Sequence, residues 1–138
     1  DALPILLYQG GIIENSLGWF VPPTLILGLD NNHPLCREEI FGPVASVIRF
    51  ETDAEAIAIA NDSDYGLVGG VWTQNLSRAL RVAAGIEAGQ VFINEYFAGG
   101  VETPFGGYKQ SGIGREKGRA ALHHYGQIKT VTARIGRS

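Results

Sequence analysis

The sequence has 138 residues, 45% of them hydrophobic and 18% charged, with a formal net charge of −3. That is the length of one ordinary domain with a real core, and the apolar share is too high for a disordered segment. A mildly acidic chain without a basic run is poorly suited to a phosphate backbone, so no nucleic-acid partner is expected. No stretch approaches the roughly 18 apolar residues of a membrane span, so no membrane partner is expected either.

The single cysteine cannot form an internal disulfide, which suits a reducing, cytoplasmic setting. Asp1 does not open a signal peptide, and the opening residues read as a segment that began further upstream. Without a secretory signal, the Asn61-Asp62-Ser63 and Asn75-Leu76-Ser77 triplets are chance matches to a glycan acceptor. Glycine stands out: 19 residues, about twice the usual share, with no G-X-Y period. Such glycines mark turns, caps and close backbone approaches.

Taken in chain order, Asp1 to Pro23 is punctuated by Gly10, Gly11, Gly18, Pro4, Pro22 and Pro23 and reads as a loop. Thr24 to Leu27 is a short strand, and Asp30 to Pro34 a turn-rich link. Val44 to Phe50, β-branched and apolar, is a strand. Thr52-Asp53-Ala54-Glu55 matches a capping box, with a helix from Asp53 to about Asn61. Leu67 to Thr73 is a strand. Asn75 caps a second helix whose apolar face is Leu76, Leu80, Ala83 and Ala84, with Gly89 as its left-handed stop. Val91 to Ile93 is a third strand.

This order predicts an α/β fold, a parallel βαβαβ sheet with flanking helices. A glycine-rich loop, Ala98 to Gly114, follows, then a short helix over about Glu116 to His123. Last comes an alternating strand, Ile128 to Ile135, which either closes an edge of its own sheet or adds to another chain's sheet.

Three motifs invite a chemical reading. Gly112-Ile113-Gly114-Arg115-Glu116-Lys117-Gly118 is one residue too long for a dinucleotide fingerprint and follows no strand, so a tight turn before a helix is the better reading. Cys36 has His33 three residues away, but nothing in the spacing builds a thiolate–imidazole pair, and single cysteines are usually inert. No zinc-ligand spacing occurs, and no metal is expected. Glu38-Glu39-Ile40-Phe41-Gly42-Pro43 directly precedes a buried strand. A carboxylate there can accept from two sugar hydroxyls while the phenyl ring packs beside a flat heterocycle. Alternatively, the same six residues are an exposed acidic pair and a core phenylalanine.

The combination is more specific than its parts. Glu39-Ile40-Phe41-Gly42-Pro43, then Asn61 through Tyr65-Gly66-Leu67, then Pro104-Phe105-Gly106-Gly107-Tyr108-Lys109-Gln110-Ser111-Gly112-Ile113-Gly114-Arg115-Glu116, resembles the C-terminal part of the NAD(P)-dependent aldehyde dehydrogenase superfamily. The likeness runs from about Leu6 to about Ile135.

The resemblance implies that Glu39 holds the nicotinamide-ribose hydroxyls, that Phe41 packs near the nicotinamide, and that Leu67 is a nearby apolar wall. It places Phe105 and Phe97 along the aldehyde tunnel. Some members carry an aromatic five residues before the proline of Pro-Phe-Gly-Gly; Gly99 stands there in this sequence, so the tunnel is wider or Phe97 takes over.

The resemblance further implies NAD or NADP as cofactor, an aldehyde substrate, and self-association into a homodimer or tetramer through the C-terminal strand. On that basis residues 1–125 are part of a catalytic domain and 126–138 an oligomerisation strand and tail. The family's Gly-Gln-x-Cys and Glu-Leu-Gly-Gly motifs do not occur, and Cys36 falls where the family has no catalytic residue. No catalytic residue is therefore expected within these 138 residues, and the chain alone is expected to be inactive. The competing expectations are a non-catalytic α/β assembly module and a Cys36 hydrolase.

Overall fold

The computed structural model describes residues 5–11 and 17–136, and its first element is one that the glycines and prolines concealed. Strand β1 (Ile5–Gln9) pairs antiparallel with β2 (Thr24–Leu27), so part of the expected loop is a strand. The Gly10 amide donates to the Pro23 carbonyl at 2.8 Å and extends that pairing. The rest of the loop expectation, at residues 1–4 and 12–16, lies outside the described residues.

The link after β2 folds on itself through local side-chain bonds. Asp30 Oδ1 accepts from the Asn32 amide at 2.8 Å, and Pro34 opens a one-turn helix, α1 (Pro34–Arg37). Strand β3 (Val44–Val47) then runs parallel to β2, with Thr24 opposite Val44 and Leu27 opposite Val47. Helix α2 (Asp53–Asn61) starts as its sequence requires. Thr52 Oγ1 accepts from the Glu55 amide at 3.1 Å, and the Glu55 carboxylate reaches back to the Glu51 amide at 2.7 Å.

The chain divides into two compact units, Asp1–Asp64 and Tyr65–Ser138. The second holds β4 (Tyr65–Gly66), β5 (Val68–Val71), helix α3 (Leu76–Gly85) and β6 (Gln90–Ile93), with β5 and β6 parallel. Strand β7 (Tyr108–Lys109) pairs antiparallel with β4, and a 3₁₀ helix follows at Arg119–His124. The expected strand–helix–strand–helix–strand succession is therefore present as β3, α2, β5, α3 and β6. Its strands belong to two sheets, because β3 bonds to β2 and β5 bonds to β6. An apolar run marks a strand but carries no record of its partner.

Two local expectations need correction. Asn75 does cap α3, accepting from the Arg78 amide at 2.9 Å, but the helix ends at Gly85 with Ile86 extended. Gly89 supplies no left-handed stop. It serves close approach instead: a Cβ there would fall on the Gly106 carbonyl. The packed face of α3 is also rotated from the expected one. Ala79 is buried, whereas Leu76 and Leu80 are exposed. Apolar residues cover a wide arc of this helix, and periodicity defines the arc without choosing which edge meets the sheet.

The expected strand at Ile128 to Ile135 has no partner strand among the described residues of this single chain. Residues 126–136 carry no regular structure and are exposed, and no strand among the described residues pairs with them. The end of the expected tail, residues 137 and 138, lies outside the described residues. Among the described residues the buried hydrophobic core is Leu29, Ala79 and Phe92, and no helix is long and apolar enough to cross a membrane.

Candidate functional site

The Glu39–Gly42 segment hangs between two anchors in the first unit. On one side the Glu38 amide donates to the Pro34 carbonyl at 2.8 Å, closing α1. On the other, the Pro43 carbonyl accepts from the Thr24 amide at 2.8 Å and joins the start of β2. Between them Phe41 has φ +50° and is 91% exposed.

A bulky residue in the left-handed region costs about 1–2 kcal/mol, and an exposed ring recovers none of that by packing. Phe41 is therefore not a core residue. Glu39 is exposed and makes no hydrogen bond or ion pair among the described residues. Both side chains line one concavity of about 360 Å³, with Leu35, Cys36 and Ser46. A carboxylate with free lone pairs beside an exposed aromatic face suits a ligand carrying vicinal hydroxyls and a flat ring.

Cys36 shares that concavity as a free thiol. His33 Nδ1 accepts from the Leu35 amide at 3.2 Å, so that ring nitrogen caps α1. No three His, Cys, Asp or Glu side chains among the described residues converge on a common point.

The remaining candidates lie in the second unit. Leu67 sits exposed between β4 and β5, and its carbonyl accepts from the Gln90 amide at 3.2 Å. Phe97, with φ +56°, meets Tyr96 edge-on at 4.9 Å and Phe92 at 6.3 Å between ring centroids. Trp72 stacks on Tyr96 at 6.2 Å, so the ends of β5 and β6 carry a joined aromatic group.

Phe105 does not belong to that group. Its backbone exchanges two hydrogen bonds of 2.7 Å with Glu116, and the Lys117 ammonium lies 5.5 Å from its ring centroid. The glycine-rich loop is thus folded back on itself. Arg115 helps to close it by donating to the Gly107 and Gly114 carbonyls at 3.0 and 2.6 Å. Gly112 and Gly114 adopt positive φ within this turn, which follows the two-residue strand β7, contrary to expectation, and leads to a 3₁₀ helix where a dinucleotide fingerprint would open an α-helix.

Asn94 is a residue that sequence reasoning passed over. Its Oδ1 accepts from the Thr73 amide at 2.8 Å and its Nδ2 donates to the Thr73 carbonyl at 3.0 Å. These bonds lock the exits of two parallel strands together and start the Tyr96–Phe97 turn. The available signal was an asparagine directly after a strand, a residue that tolerates the φ of +56° found there.

Comparison with known proteins agrees with this organisation. A family model described as the aldehyde dehydrogenase family matches residues 5–131. The chain is 53% identical over 120 residues to a betaine aldehyde dehydrogenase of Brucella melitensis biotype 2, covering 87% of this chain and 25% of that one. It superimposes on an NAD-dependent aldehyde dehydrogenase from Sinorhizobium meliloti with a TM-score of 0.87 at 42% identity, covering 98% of this chain and 27% of that one. A Mycobacterium tuberculosis aldehyde dehydrogenase complexed with NAD+ gives 0.86 at 43% identity, with 98% and 28% covered. The chain spans about a quarter of the length of the curated relatives it matches. With 127 consecutive residues under the family model and 98% of its length covered by a related structure, this chain belongs to the aldehyde dehydrogenase family.

Proposed function

We propose that this chain is the coenzyme-orienting and substrate-lining part of an aldehyde dehydrogenase that converts an aldehyde and water to a carboxylic acid. When bound, NAD+ or NADP+ takes up the hydride. The carbon that loses it is held as a thiohemiacetal on a cysteine supplied from outside these residues, and water activated by a glutamate, also from outside, releases the acid.

Within this chain, Glu39 accepts hydrogen bonds from the ribose hydroxyls and Phe41 packs beside the nicotinamide. Leu67 is an apolar wall near that ring. Phe105 and Phe97 line the path of the aldehyde, and residues 128–135 add a strand to the sheet of a second copy.

The observation that carries this reading is the pairing of Glu39 with Phe41. An uncommitted carboxylate and an exposed, strained aromatic share one concavity, and neither contributes to a core. The acceptor and the ring also fit the coenzyme's chemistry, because a ribose offers two adjacent hydroxyls as donors and a nicotinamide a flat face. Residues 126–136 support the assembly role, with Ile128, Val131 and Ile135 all exposed and no ladder of their own.

In a complete aldehyde dehydrogenase chain carrying this segment, Glu39→Gln is expected to slow hydride transfer at least about tenfold, read as the rate of NADH formation in a single turnover. Unchanged kinetics would mean that Glu39 is only a surface acid. The 138-residue chain incubated with NAD+ and a panel of aldehydes should form no NADH; sustained turnover would overturn the assignment of roles.

A further inference from the structure

We infer that Asp62 is a positioning residue for Glu39, acting through Arg37; the inference rests on the ribose role proposed above. Arg37 is the last residue of α1, and Glu39 follows it after one extended residue, Glu38. Whatever fixes the Arg37 side chain therefore fixes the base from which Glu39 projects.

Asp62 does this with a forked contact. Arg37 Nη2 lies 2.9 Å from both carboxylate oxygens of Asp62, and Nη1 donates to the Asp62 carbonyl at 2.7 Å. Asn31, at the entry to the same turn, donates through Nδ2 to the Asp62 carbonyl at 2.7 Å, to Asp62 Oδ2 at 2.9 Å and to the Ile59 carbonyl at 3.2 Å. Both arms of the loop that carries α1 are thus tied to one residue, the C-cap of α2.

An ordinary surface ion pair contributes little, and here the two side chains are 33% and 55% exposed. Geometry separates this one from the ordinary case. The guanidinium fork engages a carboxylate and a helix-end carbonyl at once, and the last turn of α2 has no basic residue of its own. Leu35 is held independently, since Ser46 Oγ donates to its carbonyl at 3.3 Å. Loss of Asp62 should therefore loosen the Glu39 end of the loop while leaving α1 attached to β3.

The test is a double-mutant cycle in a complete aldehyde dehydrogenase chain carrying this segment. Asp62→Ala should raise the coenzyme KM about fivefold and leave the aldehyde KM unchanged, with Arg37→Lys acting in the same direction. In the Glu39→Gln background, Asp62→Ala should have no further effect on the coenzyme KM. Equal losses for coenzyme and aldehyde, or effects that multiply in the double variant, would overturn the positioning role. If Glu39→Gln alone leaves coenzyme kinetics untouched, the ribose reading fails and takes this inference with it. Should Asp62→Ala fail to fold, Arg37→Lys carries the same cycle with Glu39→Gln.

Discussion

The Glu39–Gly42 segment and the Tyr96–Gly107 loop present exposed aromatic rings by opposite means. The first adds a charged clasp to its two backbone anchors, with the Arg37 guanidinium holding Asp62 and the amide of Asn31 helping. The second is held by backbone and rings, with Asn94 bonded both ways to Thr73, Gly89 pressed against Gly106, and four aromatic side chains in a chain of contacts. A charged clasp is open to salt and to substitution of one side chain. A backbone contact is insensitive to salt and intolerant of added volume. Placement of the Glu39–Phe41 segment is thus adjustable by exchange of one side chain, whereas the Tyr96–Gly107 loop is set by steric fit.

The strongest way to break that contrast is Gly89→Ala. Its new Cβ would meet the Gly106 carbonyl, a backbone atom that cannot swing aside, so a loss of about 3 kcal/mol is expected by urea unfolding. A change within a few tenths would show that the loop yields easily. Next is Asn94, where Ala removes two hydrogen bonds and adds left-handed strain. Ala should cost about 2–3 kcal/mol and Gly about 1 kcal/mol less than Ala, because glycine accepts φ +56°. Equal losses would mean that the hydrogen bonds alone matter. The smallest effect is at Phe41, where Gly should exceed Ala in stability by about 1 kcal/mol while both weaken coenzyme binding. If Gly and Ala are equally stable, the strain at φ +50° is absent in solution.

Features legible in the sequence were the local ones. Thr52, Glu55 and Asn75 announce their helices because a cap is made within four residues. Val44–Val47, Val68–Val71 and Gln90–Ile93 are apolar runs between turn signals. Strand β1 was hidden because nearby glycines and prolines suggested a loop, while its partner β2 lies beyond a long connection. The division of β3 and β5 between two sheets was equally out of reach, since pairing is a non-local choice.

Glu39 and Phe41 were singled out by their motif, but the positive φ of Phe41 was not legible, because nothing marks phenylalanine for that region. The roles of Arg37, Asn31 and Asp62 depend on contacts about 25 to 31 residues apart and leave no short pattern. The alternation at Ile128 to Ile135 was plainly visible, yet alternation describes a capacity to pair. Whether it is exercised depends on another strand.

The junction of Arg37 with α2 has a thermal side. A nine-residue helix frays from its ends, and this one borrows the cation at its C-terminus from a neighbouring loop. Fraying and loop release are therefore one event. Warming is expected to loosen the last turn of α2 before the strands separate, and hydrogen exchange at the Asn61 and Asp62 amides would rise first. On the ribose role proposed above, local opening, more than global melting, is expected to set the upper working temperature of Glu39.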